Sequence, residues 1–388
     1  MTRLLTLLGQ GLSGVLEPGM RPQAARNYRC RCGQPVFFRN SVCLACGTAL
    51  GFDPEALTLR SLLPGPQPGL WRAADAAGET GPPLRRCDNF GPAGCNWLLP
   101  PAESAAQDGL CRACRLNRTI PDLDEGDNAL LWSRIEVAKR RLVSQLLALG
   151  LPLQSKVSED PEHGVMFDFL RAAPGEPRVV TGHADGLITL DVEEADDAAR
   201  EWRRHALREP YRTLLGHLRH EIGHYYWDRL IAGSGWLAPF RARFGDERKD
   251  YAAALKRHYA AGPAADWSQR FVSAYASSHP WEDWAETWAG YLHMVDTMDT
   301  ALSFGLEGGD IEIDIEPYGD DALDAPGDPD ASRFLRLVNA WLEIAALMNE
   351  LSRSMGQPDP CPFVLSHHAV AKLHFVHRVV GATAAQSL

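Results

Sequence analysis

Thr213-Leu214-Leu215-Gly216-His217-Leu218-Arg219-His220-Glu221-Ile222-Gly223-His224 carries two patterns on one segment. Leu214, Leu218 and Ile222 recur every fourth residue, an apolar stripe at helical spacing. His220 and His224 share that spacing, so a helix sets both imidazoles on one face about a turn apart. Two imidazoles placed in this way can ligate one zinc, and Glu221 beside them can take a proton from a water on the metal. Two core histidines would give the same spacing, so the reading needs a third ligand.

The metzincin continuation calls for glycine at position 227 and histidine at 230. Trp227 and Leu230 stand there, which excludes that class. The alternative is a glutamate from a later helix, as in gluzincins, with a second acidic group one turn on. His279-Pro280-Trp281-Glu282-Asp283-Trp284-Ala285-Glu286-Thr287-Trp288-Ala289 supplies this arrangement: Pro280 marks a helix start, and Glu282 and Glu286 lie one turn apart. Acidic residues in a first turn also suit the helix dipole, which accounts for Glu282 and Asp283 better than for Glu286. The preferred assignment is Glu282 as ligand with Glu286 orienting a histidine, and the reverse stays open. Tyr275, seven residues before Glu282, is a candidate donor to a developing oxyanion. His217 shares the motif's face and reads as a group supporting the ligands. His293 is a weaker candidate donor, and His367, His368, His374 and His377 read as packing or surface residues.

Nine cysteines are present, eight of them between residues 30 and 114. They form two sets of four: Cys30, Cys32, Cys43 and Cys46, then Cys87, Cys95, Cys111 and Cys114. Clustered short-spaced pairs without an export signal read as metal sites rather than disulfides. Gly33 and Gly47 each follow a pair, where a tight turn needs φ > 0. Four thiolates leave no open position, so two structural zinc ions are expected here, separate from one catalytic zinc. Cys361, alone between two prolines, reads as a small buried side chain.

With 388 residues the chain can bury more than one core. A net charge of −11 argues against sequence-independent nucleic-acid binding, and no apolar run is long enough to cross a bilayer. Leu4-Leu5-Thr6-Leu7-Leu8 is too short for an export signal and lacks a cleavage site, so a cytoplasmic protein is expected. Leu63 to Pro83, rich in proline and glycine, reads as loop or linker. Helices are expected over 128–150, 209–232, 236–244, 249–260, 281–304, 331–354 and 365–380, and strands near 165–170 and 187–192. Glu307 to Asp330 has ten carboxylates and no Lys or Arg, and reads as a solvated loop.

These motifs resemble those of a bacterial family of zinc-binding metallopeptidases with an N-terminal zinc-ribbon domain. The resemblance runs through Cys32-Gly33-Gln34-Pro35-Val36-Phe37-Phe38, Cys43-Leu44-Ala45-Cys46-Gly47, Tyr211 to Trp227 and His279 to Trp288. It covers nearly the whole chain from about residue 26, and residues before Asn27 lie outside it. The Glu282/Glu286 helix is also similar to that of lethal-factor-like gluzincins, which favours Glu282 as ligand. Residues 1–25, with glycine and proline scattered through them, are expected to be a disordered leader. Beyond it the resemblance implies an α+β chain, with a zinc-ribbon region over 26–120 holding two four-cysteine sites and a mainly helical zincin-like domain with a small sheet over 121–388. The expected activity is peptide hydrolysis by a zinc-activated water with Glu221 as general base, on a peptide or protein substrate. Two alternatives remain: a zinc-ribbon binding protein with an idle zincin-like domain, its ribbons contacting a protein partner, and a hydrolase of non-peptide amides.

Overall fold

A computed structural model of the protein describes residues 25–75, 78–100, 108–173, 175–207, 213–306 and 311–386. The expected leader, apart from residue 25, lies outside this set, as do residues 209–212 of the expected metal-binding helix and 307–310 of the acidic stretch. The chain divides into two units, Ala24–Arg229 and Leu230–Gln386.

The first unit opens on a short antiparallel pair, β1 (Tyr28–Arg29) and β2 (Pro35–Val36). The chain turns between them at Gly33, whose φ of 87° is open to glycine at little cost. A five-stranded antiparallel meander follows: β3 (Ala49–Asp53), β4 (Thr58–Pro64), β5 (Leu70–Asp75), β6 (Gly78–Arg86) and β7 (Leu98–Leu99), in chain order across the sheet. Phe52 packs on Trp97 and Phe38, with ring centroids 4.9 and 4.8 Å apart, and anchors the apolar face. The expectation of a loop over Leu63 to Pro83 is therefore corrected. Pro66 and Pro68 occupy the β4–β5 turn. Pro82 and Pro83 fall where the β5–β6 register slips between Trp71 and Ala73, a break in the ladder that spares them the need for an N–H.

The second sheet, in the order β10-β11-β9-β8, comprises β8 (Asn117–Thr119), β9 (Met166–Leu170), β10 (Gly182–Ala184) and β11 (Leu187–Asp191). β8, β9 and β11 run parallel and β10 antiparallel. Because β8 pairs with β9, chain on both sides of residue 120 belongs to one sheet. Helix α1 (Asn128–Ala148) carries Trp132, Ile135, Leu142 and Leu146 fully buried. It stops as its sequence predicts: Gly150 takes φ 65°, and the amides of Gly150 and Leu151 bond back to Leu147 and Leu146. Helices α2 (Asp197–Leu207) and α3 (Leu214–Tyr226) complete the unit, and α3 packs against α1.

The second unit is helical: α4 (Leu237–Phe244), α5 (Tyr251–Ala261), α6 (Pro280–Ser303), α7 (Ala331–Ser354) and α8 (His367–Gln386). α6 is its centre, buried on most sides and packed on α4, α7 and α8. Phe240, Phe244, Trp284 and Phe375 interlock edge to face around it. The acidic stretch is less solvated than its composition predicts. Arg378 binds Asp324 and Asp328 at 2.8 and 3.0 Å, Arg243 binds Asp324 at 2.8 Å, and His377 meets Asp330 at 2.8 Å. Among the described residues no helix is long and apolar enough to cross a membrane.

Candidate metal centres

Each cysteine set converges. In the first, Cys30 and Cys46 lie 3.6 Å apart and Cys32 and Cys43 3.8 Å apart, sulfur to sulfur. In the second, Cys95 stands 3.6 Å from Cys111 and 3.7 Å from Cys114, with Cys87 alongside. A tetrahedral zinc with bonds of about 2.3 Å places its sulfurs about 3.8 Å apart, so both sets fit that ion. The two sets differ in setting. Cys32 and Cys46 of the first are exposed, and its sulfurs meet the hydroxyls of Thr48 and Ser61. All four cysteines of the second are buried.

The histidine motif lies on α3. Thr213, extended at the N-cap, accepts the Gly216 amide at 2.9 Å and starts the helix where the sequence turns apolar. Leu218, Ile222 and Tyr226 face the interior, and Tyr226 donates to the Pro152 carbonyl at 3.0 Å. With that face fixed, the Nε2 atoms of His220 and His224 come within 3.2 Å of each other. Two imidazoles on a tetrahedral zinc, with bonds of about 2.0–2.1 Å, bring their nitrogens to about 3.3 Å, so the pair fits one ion.

Glu221 is 5% exposed. Burial pushes its carboxyl up, but the hydrogen bond from His217 and the charges of His220, His217 and His224 outweigh burial and hold it below the ordinary glutamate value. His217 Nε2 stands 3.4 Å from Glu221 Oε1, and its Nδ1 stands 3.8 Å from Glu194 Oε2. Burial would discharge this histidine, and the two carboxylates reverse that. His217 therefore presents an N–H to the candidate base rather than a ligand nitrogen. Glu194 is invisible to motif reasoning, since it comes from a turn over Val192–Ala195. His183 on β10 is equally so: its ring stacks 6.4 Å from His224, and burial, then His224, lower its pKa to about 4.

In the second unit, His279 caps α6. Its Nδ1 accepts the Trp281 amide and its Nε2 donates to the Lys249 carbonyl, which fixes one neutral tautomer. Pro280 occupies the first turn, as expected. Glu282, 1% exposed, accepts a 2.7 Å hydrogen bond from the Tyr251 hydroxyl. Tyr251 was not foreseeable, because it reaches Glu282 from α5. Glu286 accepts from Ser273 at 2.6 Å. Asp283 is also 1% exposed and is paired with Lys372 at 2.6 Å. Tyr275 lies in a single turn over Tyr275–Ser277, and burial, reinforced by Glu282, pushes its phenol far up, so it stays a proton donor. His293 packs on Trp341 and Phe363, with Cys361 Sγ 3.6 Å away. His374 stacks on Phe334, and His377 lies against Tyr291, as packing residues do.

Comparison with known proteins gives two family matches. Residues 128–379 match the model described as "Putative zinc-binding metallo-peptidase", and residues 27–125 match a zinc-ribbon domain. Uncharacterized proteins of Mycobacterium bovis and Mycobacterium tuberculosis are each 41% identical to the chain over 361 residues, covering 92% of it and 96% of the relative. No solved structure matches.

Proposed function

The chain belongs to this zinc-binding metallopeptidase family, and we propose that it hydrolyses peptide bonds with one zinc held by His220, His224 and Glu282. The observation that carries the reading is the pair of imidazole nitrogens 3.2 Å apart on the helix that also bears Glu221. Glu282 is supported by its donor chemistry: a buried carboxylate in the first turn of α6, oriented by the Tyr251 hydroxyl, inside the same family match. When bound, zinc lowers the pKa of water toward neutrality and polarises the scissile carbonyl.

Glu221 is ionised at neutral pH and takes the proton of the attacking water, then hands it to the leaving amine. His217 holds that carboxylate in place and, through Glu194, is itself held. Tyr275, which keeps its proton, donates to the oxyanion. Glu286 orients a histidine ligand. The two sets of four cysteines each hold a structural zinc, giving three ions per chain.

Zinc per chain and hydrolysis of a peptide library test this reading in wild type, His220→Ala and Glu221→Gln. Three ions should fall to two in His220→Ala. Glu221→Gln should keep all three and lose roughly 10²–10⁴ in rate, the usual share of a positioned base. Undiminished hydrolysis by Glu221→Gln would refute the mechanism.

A further inference from the structure

The charged side chains of α1 have no part in the chemistry above, yet three of them are buried beside the second cysteine set. Glu136 and Lys139 are wholly buried, and Arg140 is 4% exposed. Buried charges persist only when paired and hydrogen-bonded. Lys139 binds Glu136 Oε1 at 2.7 Å and also Asn117, the residue that begins β8. Glu136 Oε1 accepts from Asn117 at 3.0 Å, and its Oε2 faces Cys114 Sγ at 3.9 Å. Arg140 lies 3.7 Å from Glu136 and donates to the Ala93 carbonyl at 3.2 Å, two residues before Cys95. Two cations against one carboxylate leave a surplus positive charge. Lys139 is taken up by Glu136 and Asn117, and Arg140 is left close enough to Cys95, Cys111 and Cys114 for their charges to act on it. Zinc in four thiolates is a net dianion, the counter-charge that this surplus matches.

The same helix reaches the histidine motif. Gln145, about one and a half turns beyond Lys139 and Arg140, accepts from Arg219 at 3.1 Å, and both side chains are buried. Arg219 directly precedes His220. On the other side, the chain runs from Cys114 into β8, which pairs with β9.

We infer that the zinc of Cys87, Cys95, Cys111 and Cys114 is a positioning element of the peptidase fold, seated against Arg140 beside the Glu136–Lys139 pair and setting α3 through α1. The zinc of Cys30, Cys32, Cys43 and Cys46, half exposed and met by hydroxyls, is separable from it. The inference rests on the proposed reading of His220 and His224 only for its effect on hydrolysis, and it is tested without an activity assay.

Release of zinc to a colorimetric chelator and hydrogen–deuterium exchange of the segments 128–148 and 214–226 are measured on full-length variants. Arg140→Met keeps all eight thiolates, so it tests the seat of the zinc without removing a ligand. It should release one zinc at least tenfold faster and lower protection of both segments. Arg140→Lys should restore much of the loss. Cys46→Ser should lose one zinc and leave both segments as protected as in wild type. Unchanged zinc release in Arg140→Met, or loss of protection over 214–226 in Cys46→Ser, would overturn the inference. Glu221→Gln, inactive under the proposed mechanism, should exchange like wild type, so failure of that mechanism is scored separately.

Discussion

Tyr251→Phe removes one oxygen atom and so probes the assignment of Glu282 as a zinc ligand with little other disturbance. The ring keeps its edge contact with His279 and its tilted contact with Trp281, at centroid distances of 5.2 and 5.9 Å. What is lost is the 2.7 Å O–H···O bond to a carboxylate that is 1% exposed. A hydrogen bond to a charged group contributes about 1.5–3 kcal/mol. Because Tyr251 is itself 37% exposed, water can take part of the hydroxyl's place, which puts the loss near the lower end. About 1.5 kcal/mol is about a tenfold weaker affinity. That is the lower edge of the roughly 10–100-fold cost of removing a group that orients a metal ligand. Competition against a chelator of known affinity should show one of three zinc ions bound about tenfold more weakly, with the two thiolate-bound ions as internal references. Equal affinity for all three ions in variant and wild type would refute the argument for Glu282.

Further outcomes follow from other groups. His374 is fully buried and its pKa lies near 4, depressed by burial first and then by His377 and Arg378. A base with a depressed folded pKa stabilises above its unfolded value of about 6.5 and loses that contribution as pH falls toward 4. The loss is about 2 kcal/mol by pH 5 and at most about 3 kcal/mol by pH 4. Urea denaturation of His374→Leu should lack this loss, and a difference from wild type that stays constant between pH 7 and 4.5 would contradict it. Thr213→Ala removes the N-cap of α3 and should cost about 1 kcal/mol, with faster amide exchange confined to the first turn. Graded chelator should take the histidine-bound zinc, and hydrolysis with it, before either thiolate-bound ion. Simultaneous loss of all three would argue against separate sites.

The sequence announces chemistry that is local and hides chemistry that comes from afar. His220, Glu221 and His224 are legible because a helix converts a spacing of four into proximity. The cysteine sets are legible because thiolate clusters have few other uses in such spacing. The cap and first turn of α6 follow from His279-Pro280 in the same way. Tyr251, Glu194 and His183 lie 31, 23 and 41 residues from the groups they attend, on elements whose packing no local pattern encodes. The meander escapes pattern reading for a different reason. Proline and glycine punctuate turns, but at Pro82 and Pro83 they sit inside a strand whose ladder is already broken. The acidic stretch reads as solvated from composition because its partners Arg243, His377 and Arg378 come from α4 and α8.

β8 is only three residues long, yet it sets where the chain can be cut. The peptidase family match begins at residue 128, which invites a truncated enzyme starting at Asn128. Such a polypeptide would lack β8 and bare the outer rim of β9, Met166-Phe167-Asp168-Phe169-Leu170, with its amides and carbonyls facing solvent. An open rim beside two phenylalanines is a template for another molecule's strand, so the excised fragment should clump rather than stay dispersed.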